Sequence, residues 1–166
     1  MTEYVSLLEH LFLLERFPPW HHNRLSRLIK TPKLHIADTG LASSLLGMTA
    51  ASLATDRGMV GSLVDTFVFQ ELRRQSSWQD HSNHFFHYRD KDGVEVDIVI
   101  EQGPRVSGVE VKSGSTVTAS DFRGLRALQD ATQERFAAGV VLYDGEEVVR
   151  FGEGLFAVPL AVLWQC

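Results

Sequence analysis

The chain has 166 residues, enough for one domain with a sizeable core. Its 44% hydrophobic and 22% charged content is that of an ordinary globular protein, and 21 acids against 16 bases, a net charge of −5, leave no global basic field for nucleic acid. The lone Cys166 excludes an internal disulfide and a cysteine-based zinc site, and no run reaches the roughly 18 apolar residues that would span a bilayer; no membrane partner is expected.

Tyr4, Leu7, Leu8, Leu11, Phe12 and Leu14 form a helical stripe over residues 4–17, ended by Pro18-Pro19. The acids in this greasy stretch and the absence of a basic lead or cleavage site argue against a signal peptide, so a cytoplasmic setting is expected. A basic connector follows, with Arg24, Arg27, Lys30 and Lys33 interleaved with leucines, and it is the best local candidate for nucleic-acid contact. Residues 33–38 read as a short strand, and Asp38 or Thr39 caps a helix that runs to Leu46 and stops at Gly47. Leu63, Val64, Phe67, Val68 and Leu72 predict a helix over 61–74, with Glu71 on or near its apolar face, where a carboxylate needs a partner.

Residues 85–89 and 94–101 flank Asp90-Lys91-Asp92-Gly93 and predict a hairpin, and Gln102-Gly103-Pro104 turns the chain into a third strand over 105–112. Thr118 to Asp121 reads as a capping box, followed by a helix with Phe122, Leu125 and Leu128 on one face. Residues 138–143 read as a buried strand, with 146–151 pairing back onto it across Asp144-Gly145. His81, His84 and His87 are spaced by three, but the strand expected over 85–89 would aim His84 and His87 at opposite faces, so they read as solvated loop residues and no zinc site. The order predicts an α/β domain with a mixed sheet and helices packed on it.

The chemistry stands on two of these strands. A period of two places Glu95 and Asp97 on one face of Val94–Glu101, and Glu110 and Lys112 on one face of the next strand. Three carboxylates and an ammonium then stand where apolar side chains belong, and an Asp on one strand with a Glu-x-Lys on the next is the arrangement a metal-dependent phosphodiesterase needs: oxygens for a hard divalent cation and a cation beside the attacked phosphate or water. A salt-bridged cluster closing one edge of the sheet is the structural alternative.

The string 61–72 (Gly-Ser-Leu-Val-Asp-Thr-Phe-Val-Phe-Gln-Glu-Leu), Tyr88-Arg89 with Gly93-Val94-Glu95-Val96-Asp97, and Val109-Glu110-Val111-Lys112-Ser113-Gly114 together resemble the DUF4143 domain. Pro32-Lys33-Leu34-His35-Ile36-Ala37-Asp38-Thr39-Gly40-Leu41 is similar to a further string of that family, with His35 where an aromatic is common. The resemblance implies the C-terminal domain of an AAA-type ATPase and a restriction-endonuclease-like, PD-(D/E)XK nuclease core. It implies a helical remnant of a winged-helix-like linking region over 1–30 and the nuclease-like domain over 31–166. Carried over by position, Glu71 is the helix acid, Asp97 and Glu110 the ligands of Mg²⁺ or Mn²⁺, and Lys112 the lysine that orients or activates water. Asp65 departs from the family, standing where a Glu is usual. The chain also contains no Gly-x-x-x-x-Gly-Lys-Ser/Thr, so no ATP site is expected in it, and it reads as starting partway through a longer protein. The expected function is metal-dependent phosphodiester hydrolysis on DNA. The alternative is an inactive nuclease fold that serves as an interaction or regulatory module, with an AAA ATPase or a second copy as its partner.

Overall fold

The computed structural model describes residues 2–20, 31–55, 57–90 and 92–165. Among them the N-terminal segment contributes α1 (Thr2–His10), β1 (Leu14–Phe17), β2 (Lys33–Ile36), α2 (Thr39–Leu45) and α3 (Ala50–Thr55). The long helix α4 (Arg57–Ser76) then leads into β3 (His84–Arg89), β4 (Glu95–Gln102) and β5 (Arg105–Lys112). After a 3-10 turn over Ala119–Phe122 come α5 (Arg123–Thr132), β6 (Phe136–Tyr143), β7 (Val149–Gly152) and β8 (Leu155–Pro159), and a 3-10 segment over Leu160–Trp164. No helix among the described residues is long and apolar enough to cross a membrane.

Six strands form one mixed sheet in the order β3-β4-β5-β6-β8-β7. The β3–β4 and β4–β5 pairs are antiparallel hairpins, β5–β6 and β6–β8 are parallel, and β7 runs antiparallel to β8. Alternation along the strands separates two apolar layers. Val68, Phe69, Ile98, Val109, Val111 and Leu142 join α4 to one face, while Val99, Val106, Val141, Phe122, Leu125 and Leu128 join α5 to the other. The result is a sheet flanked by helices, as expected from the order of elements.

Alternation fails at one place. Val96 packs in the α5 layer and Ile98 in the α4 layer, although residues two apart share a face on a regular strand. The β3–β4 register slips by one between Phe86 and Tyr88, so a β-bulge stands in β4 between Val96 and Val99, while Glu95 and Asp97 line one cleft, as expected of residues two apart.

Three expectations are corrected. The apolar stripe over 4–17 is not one helix: α1 ends in a Schellman motif, in which the Leu13 amide donates to the Leu8 carbonyl at 2.9 Å and the Phe12 amide to that of Glu9 at 3.0 Å. Phe12 occupies the left-handed position at φ 57° that usually takes glycine, and the chain turns there into β1. Residues 149–152 do not pair with β6, because β8 lies between them. His87 is not solvated but 1% exposed, since Pro18 to Trp20 run alongside it and exchange backbone hydrogen bonds with it. The connector over 21–30 lies outside the described residues. Gly47 at φ 64° and the Asp38 side chain, which accepts from the Leu41 amide, close α2 as expected.

Close approach of α5 to the sheet depends on Gly124, where an added Cβ would sit 1.8 Å from the Glu95 carbonyl oxygen. Gly124→Ala is therefore expected to cost about 2–3 kcal/mol in urea unfolding, because backbone cannot yield as a side chain can. Phe12→Gly is expected to gain about 1 kcal/mol by relieving the left-handed residue. Equal stability of either variant and the parent would contradict the respective account.

Candidate metal and phosphate site

The β4–β5 ladder runs from Gln102↔Arg105 to Ile98↔Val109 and stops there. Just beyond it, at the bulge, the Asp97 carboxylate takes the place of a backbone acceptor: Oδ2 receives the Val111 amide at 3.0 Å. Glu110 and Lys112 flank Val111 on the strand, and the Lys112 ammonium donates to Glu110 Oε1 at 3.1 Å. These groups lie at the carboxyl-terminal end of β5, beside the start of α5, a common position for ligands in sheets with parallel strands.

Two residues that strand alternation could not reveal complete the cluster. Lys33, from β2, places Nζ 3.8 Å from Asp97 Oδ1, and Asp65, from α4, lines the same cleft together with Ser62, Thr66 and His35. Asp65 was visible in the sequence only as a family position with a shortened acid, and Lys33 as part of a Pro-Lys string and as the last base of the connector.

Glu71 is not brought to this site. Six residues from Asp65, it lies about 9 Å further along α4 and on another side of it. Its carboxylate pairs with Arg74 and accepts from Gln75. Glu95 lines the Glu110 cleft while pairing with Arg89 at 3.1 Å. Gln129 donates to the Glu153 carbonyl on an exposed helix face, away from the carboxylates.

Electrostatics mark the cluster as short of positive charge. Burial, and then the neighbouring Asp97, push the Glu110 carboxyl up to about 7. The same two causes raise Asp65 to about 6, against the pull of Lys33 and Lys112. Burial works to lower the Lys112 ammonium, but Glu110, Asp97 and Asp121 outweigh it and raise its pKa, so it stays a cation. Asp65, Asp97 and Glu110 thus share Lys33 and Lys112, with one negative charge in excess when all are ionised. Glu110 Oε2 is buried without a hydrogen-bond partner.

Among the described residues no three His, Cys, Asp or Glu side chains are already gathered around a metal position. The donor set nonetheless fits Mg²⁺ or Mn²⁺, which accept two carboxylates with carbonyl and water oxygens making up the rest. Asp97 and Glu110 would be those carboxylates, with the orphaned Oε2 as a ligand atom.

His35 occupies an aromatic niche, with ring centroids 5.4 Å from Phe17 and 4.8 Å from Phe69. The Thr66 hydroxyl donates to the Ser62 carbonyl and so accepts from His35 Nδ1 at 3.0 Å. Burial, then Lys33 and His87, lower His35 to about 4 and keep it neutral.

These shifts predict opposite pH dependences. Glu110 and Asp65 favour the protonated form when folded, so their stabilisation is complete below their unfolded values of 4.5 and 3.8 and drains as pH rises through about 7 and 6. His35 acts in reverse, its contribution being lost as pH falls from 6.5 through about 4. Between pH 5 and 8 the metal-free chain should therefore lose, relative to Glu110→Gln, on the order of 2 kcal/mol in urea unfolding, and Mg²⁺ should restore part of it. Parallel pH curves for the two proteins would contradict this electrostatic account.

Residues 60–163 match the family described as "Domain of unknown function (DUF4143)", and residues 1–52 match a second, "Domain of unknown function (DUF8612)". Lys33 and His35 fall in the second matched segment, and Asp65, Asp97, Glu110 and Lys112 in the first. Uncharacterized proteins of Mycobacterium tuberculosis and Mycobacterium bovis are each 29% identical over 157 residues, 94% of this chain. The chain spans about a third, 34%, of the length of these curated relatives. No solved structure matches. The match over most of its length establishes that the chain belongs to the DUF4143 family.

Proposed function

We propose that the Asp97–Glu110–Lys112 cluster is a divalent-cation site for phosphodiester hydrolysis on DNA, carried by a restriction-endonuclease-like core. The observation that carries this reading is the buried, unpartnered Oε2 of Glu110, set in a group of carboxylates that lacks one positive charge. The helix-flanked mixed sheet, with its acids at the end of a hairpin and a helical crossover following, supports the fold assignment.

Asp97 and Glu110 would hold the cation, with the Val111 carbonyl as a candidate third protein oxygen. A bound Mg²⁺ or Mn²⁺ supplies charge against the negative charge that develops on phosphate and lowers the pKa of water. The Val111 amide fixes one Asp97 oxygen and leaves Oδ1 available. Lys112, held protonated by its acidic neighbours, serves as a cation and hydrogen-bond donor toward phosphate or water rather than as a base. Asp65, across the cleft from Asp97, takes the helix position, while Glu71 stays committed to Arg74.

Labelled single- and double-stranded DNA with Mn²⁺ tests the reading. The intact chain should cut, Glu110→Ala and Asp97→Ala should lose at least about 100-fold, and Lys112→Ala about as much, in kcat more than in KM. Glu71→Ala should stay within about threefold. Cutting that survives Glu110→Ala, or none by the intact chain under any metal, would contradict a catalytic site.

One observation favours a second reading, a non-catalytic module that docks on an ATPase or on a second copy. Tyr4, Leu7, Leu11 and Phe12 of the α1 region are all exposed, Phe12 to 85%. Dimerisation in light scattering that Leu7→Glu abolishes would support it, and a monomer at high concentration would oppose self-association.

A further inference from the structure

Asp97 lies where two clefts meet. One, of about 300 Å³, is lined by Lys33, His35, Ser62, Asp65 and Thr66. The other, of about 280 Å³, is lined by Glu110, Lys112, Ser120, Asp121 and Arg123. A single phosphate group would occupy only the space over Asp97 and Glu110, so a path continuing on both sides suits a longer ligand.

Each cleft carries a cation that the proposed chemistry does not use. Lys33 stands at 3.8 Å from Asp97 Oδ1, too long for a tight hydrogen bond, on a side chain about one-third exposed. Arg123, the first residue of α5, makes no ion pair or side-chain hydrogen bond among the described residues. Its neighbour Asp121 is already engaged, its carboxylate accepting from the Thr118 amide at 2.7 Å and the Thr118 hydroxyl at 2.8 Å. An arginine lining a carboxylate-rich cleft, with no ion pair among the described residues and its chain neighbour Asp121 engaged by Thr118, is suited to an anion supplied from outside.

The geometry points to Lys33 and Arg123 as phosphate-positioning residues that hold an extended single nucleic-acid strand across Asp97, one on each side of the attacked phosphodiester. This rests on the reading of Asp97 and Glu110 as a phosphodiester site and adds the substrate class, a strand with phosphates flanking the reacting one. Such a strand meets three acids at the centre, so it binds only with a divalent cation present. Phosphates on either side meet Lys33 and Arg123, which supply the salt-dependent part of the affinity. The two cations come from separate parts of the chain, β2 and α5, and therefore act independently.

The test is fluorescence anisotropy of a labelled oligothymidylate of about 12 nucleotides with the full chain in Ca²⁺, repeated across salt concentrations. Lys33→Ala and Arg123→Ala should each weaken binding about five- to tenfold and each reduce the salt slope by about 0.7, the share of one single-strand phosphate. Lys33→Arg should restore the slope, which a merely structural loss in β2 would not allow. In cleavage with Mn²⁺ both alanine variants should raise KM with little change in kcat, and thymidine 3′,5′-bisphosphate should compete weakly. If the oligonucleotide binds in Ca²⁺ but neither variant alters affinity or slope, the two-sided track is wrong while the metal site stands. If it does not bind at any metal concentration, the phosphodiester reading fails and the track with it.

Discussion

The hydrogen bond from the Val111 amide to Asp97 Oδ2 is the constraint on which the site depends. An antiparallel ladder continued one step further would have satisfied that amide with backbone and left Asp97 an ordinary strand residue. Instead the bulge stops the ladder, moves Val96 and Ile98 to opposite layers, and turns Asp97 into the acceptor. One carboxylate thereby closes the end of the β4–β5 pair and stands beside Glu110, Asp65 and Lys33. Burial first, and then repulsion from Asp97, raise Glu110 and Asp65, and both follow from this packing. A folded state that holds acids at such cost is consistent with selection for a ligand rather than for stability alone.

Much of the sheet could be read from the chain, because its signals are local. The Asp90–Gly93 turn, the Gly103 turn and the Thr118 capping box each fix a boundary through short-range chemistry. Phe122, Leu125 and Leu128 share one face of a helix by spacing alone, and all three are fully buried. What could not be read is non-local. The insertion of β8 between β6 and β7 depends on pairings between strands, not on any pattern inside them. The end of α1 turned on Phe12 adopting a conformation that carries no sequence mark, unlike Gly47.

The site divides in the same way. Glu110 and Lys112 sit on one strand, and their shared face follows from a period of two. Asp97 could be named, but the bulge that aims it could not, since a bulge is set by the partner strand. Helical spacing does not say which carboxylate of α4 faces the cluster: Asp65 and Glu71 both flank apolar positions, and only the packing of α4 against β2 and β4 separates them. Lys33 reaches Asp97 because β1 and β2 form a ribbon, with Phe17 buried against Phe69 and His35 packed on both. The β1–β2 ribbon thus supports the cluster, and β2 contributes a charge to it through Lys33.

The central claim is that this shortfall of positive charge is the seat of a cation, and crystals soaked in Mn²⁺ test it most directly through anomalous scattering. The account predicts one ion bound by Asp97 and Glu110 at oxygen distances of about 2.1 Å, with Glu110 Oε2 among the ligands. Density elsewhere, or none while Lys112 keeps its hydrogen bond to Glu110, would leave a salt-bridged cluster that only closes the edge of the sheet.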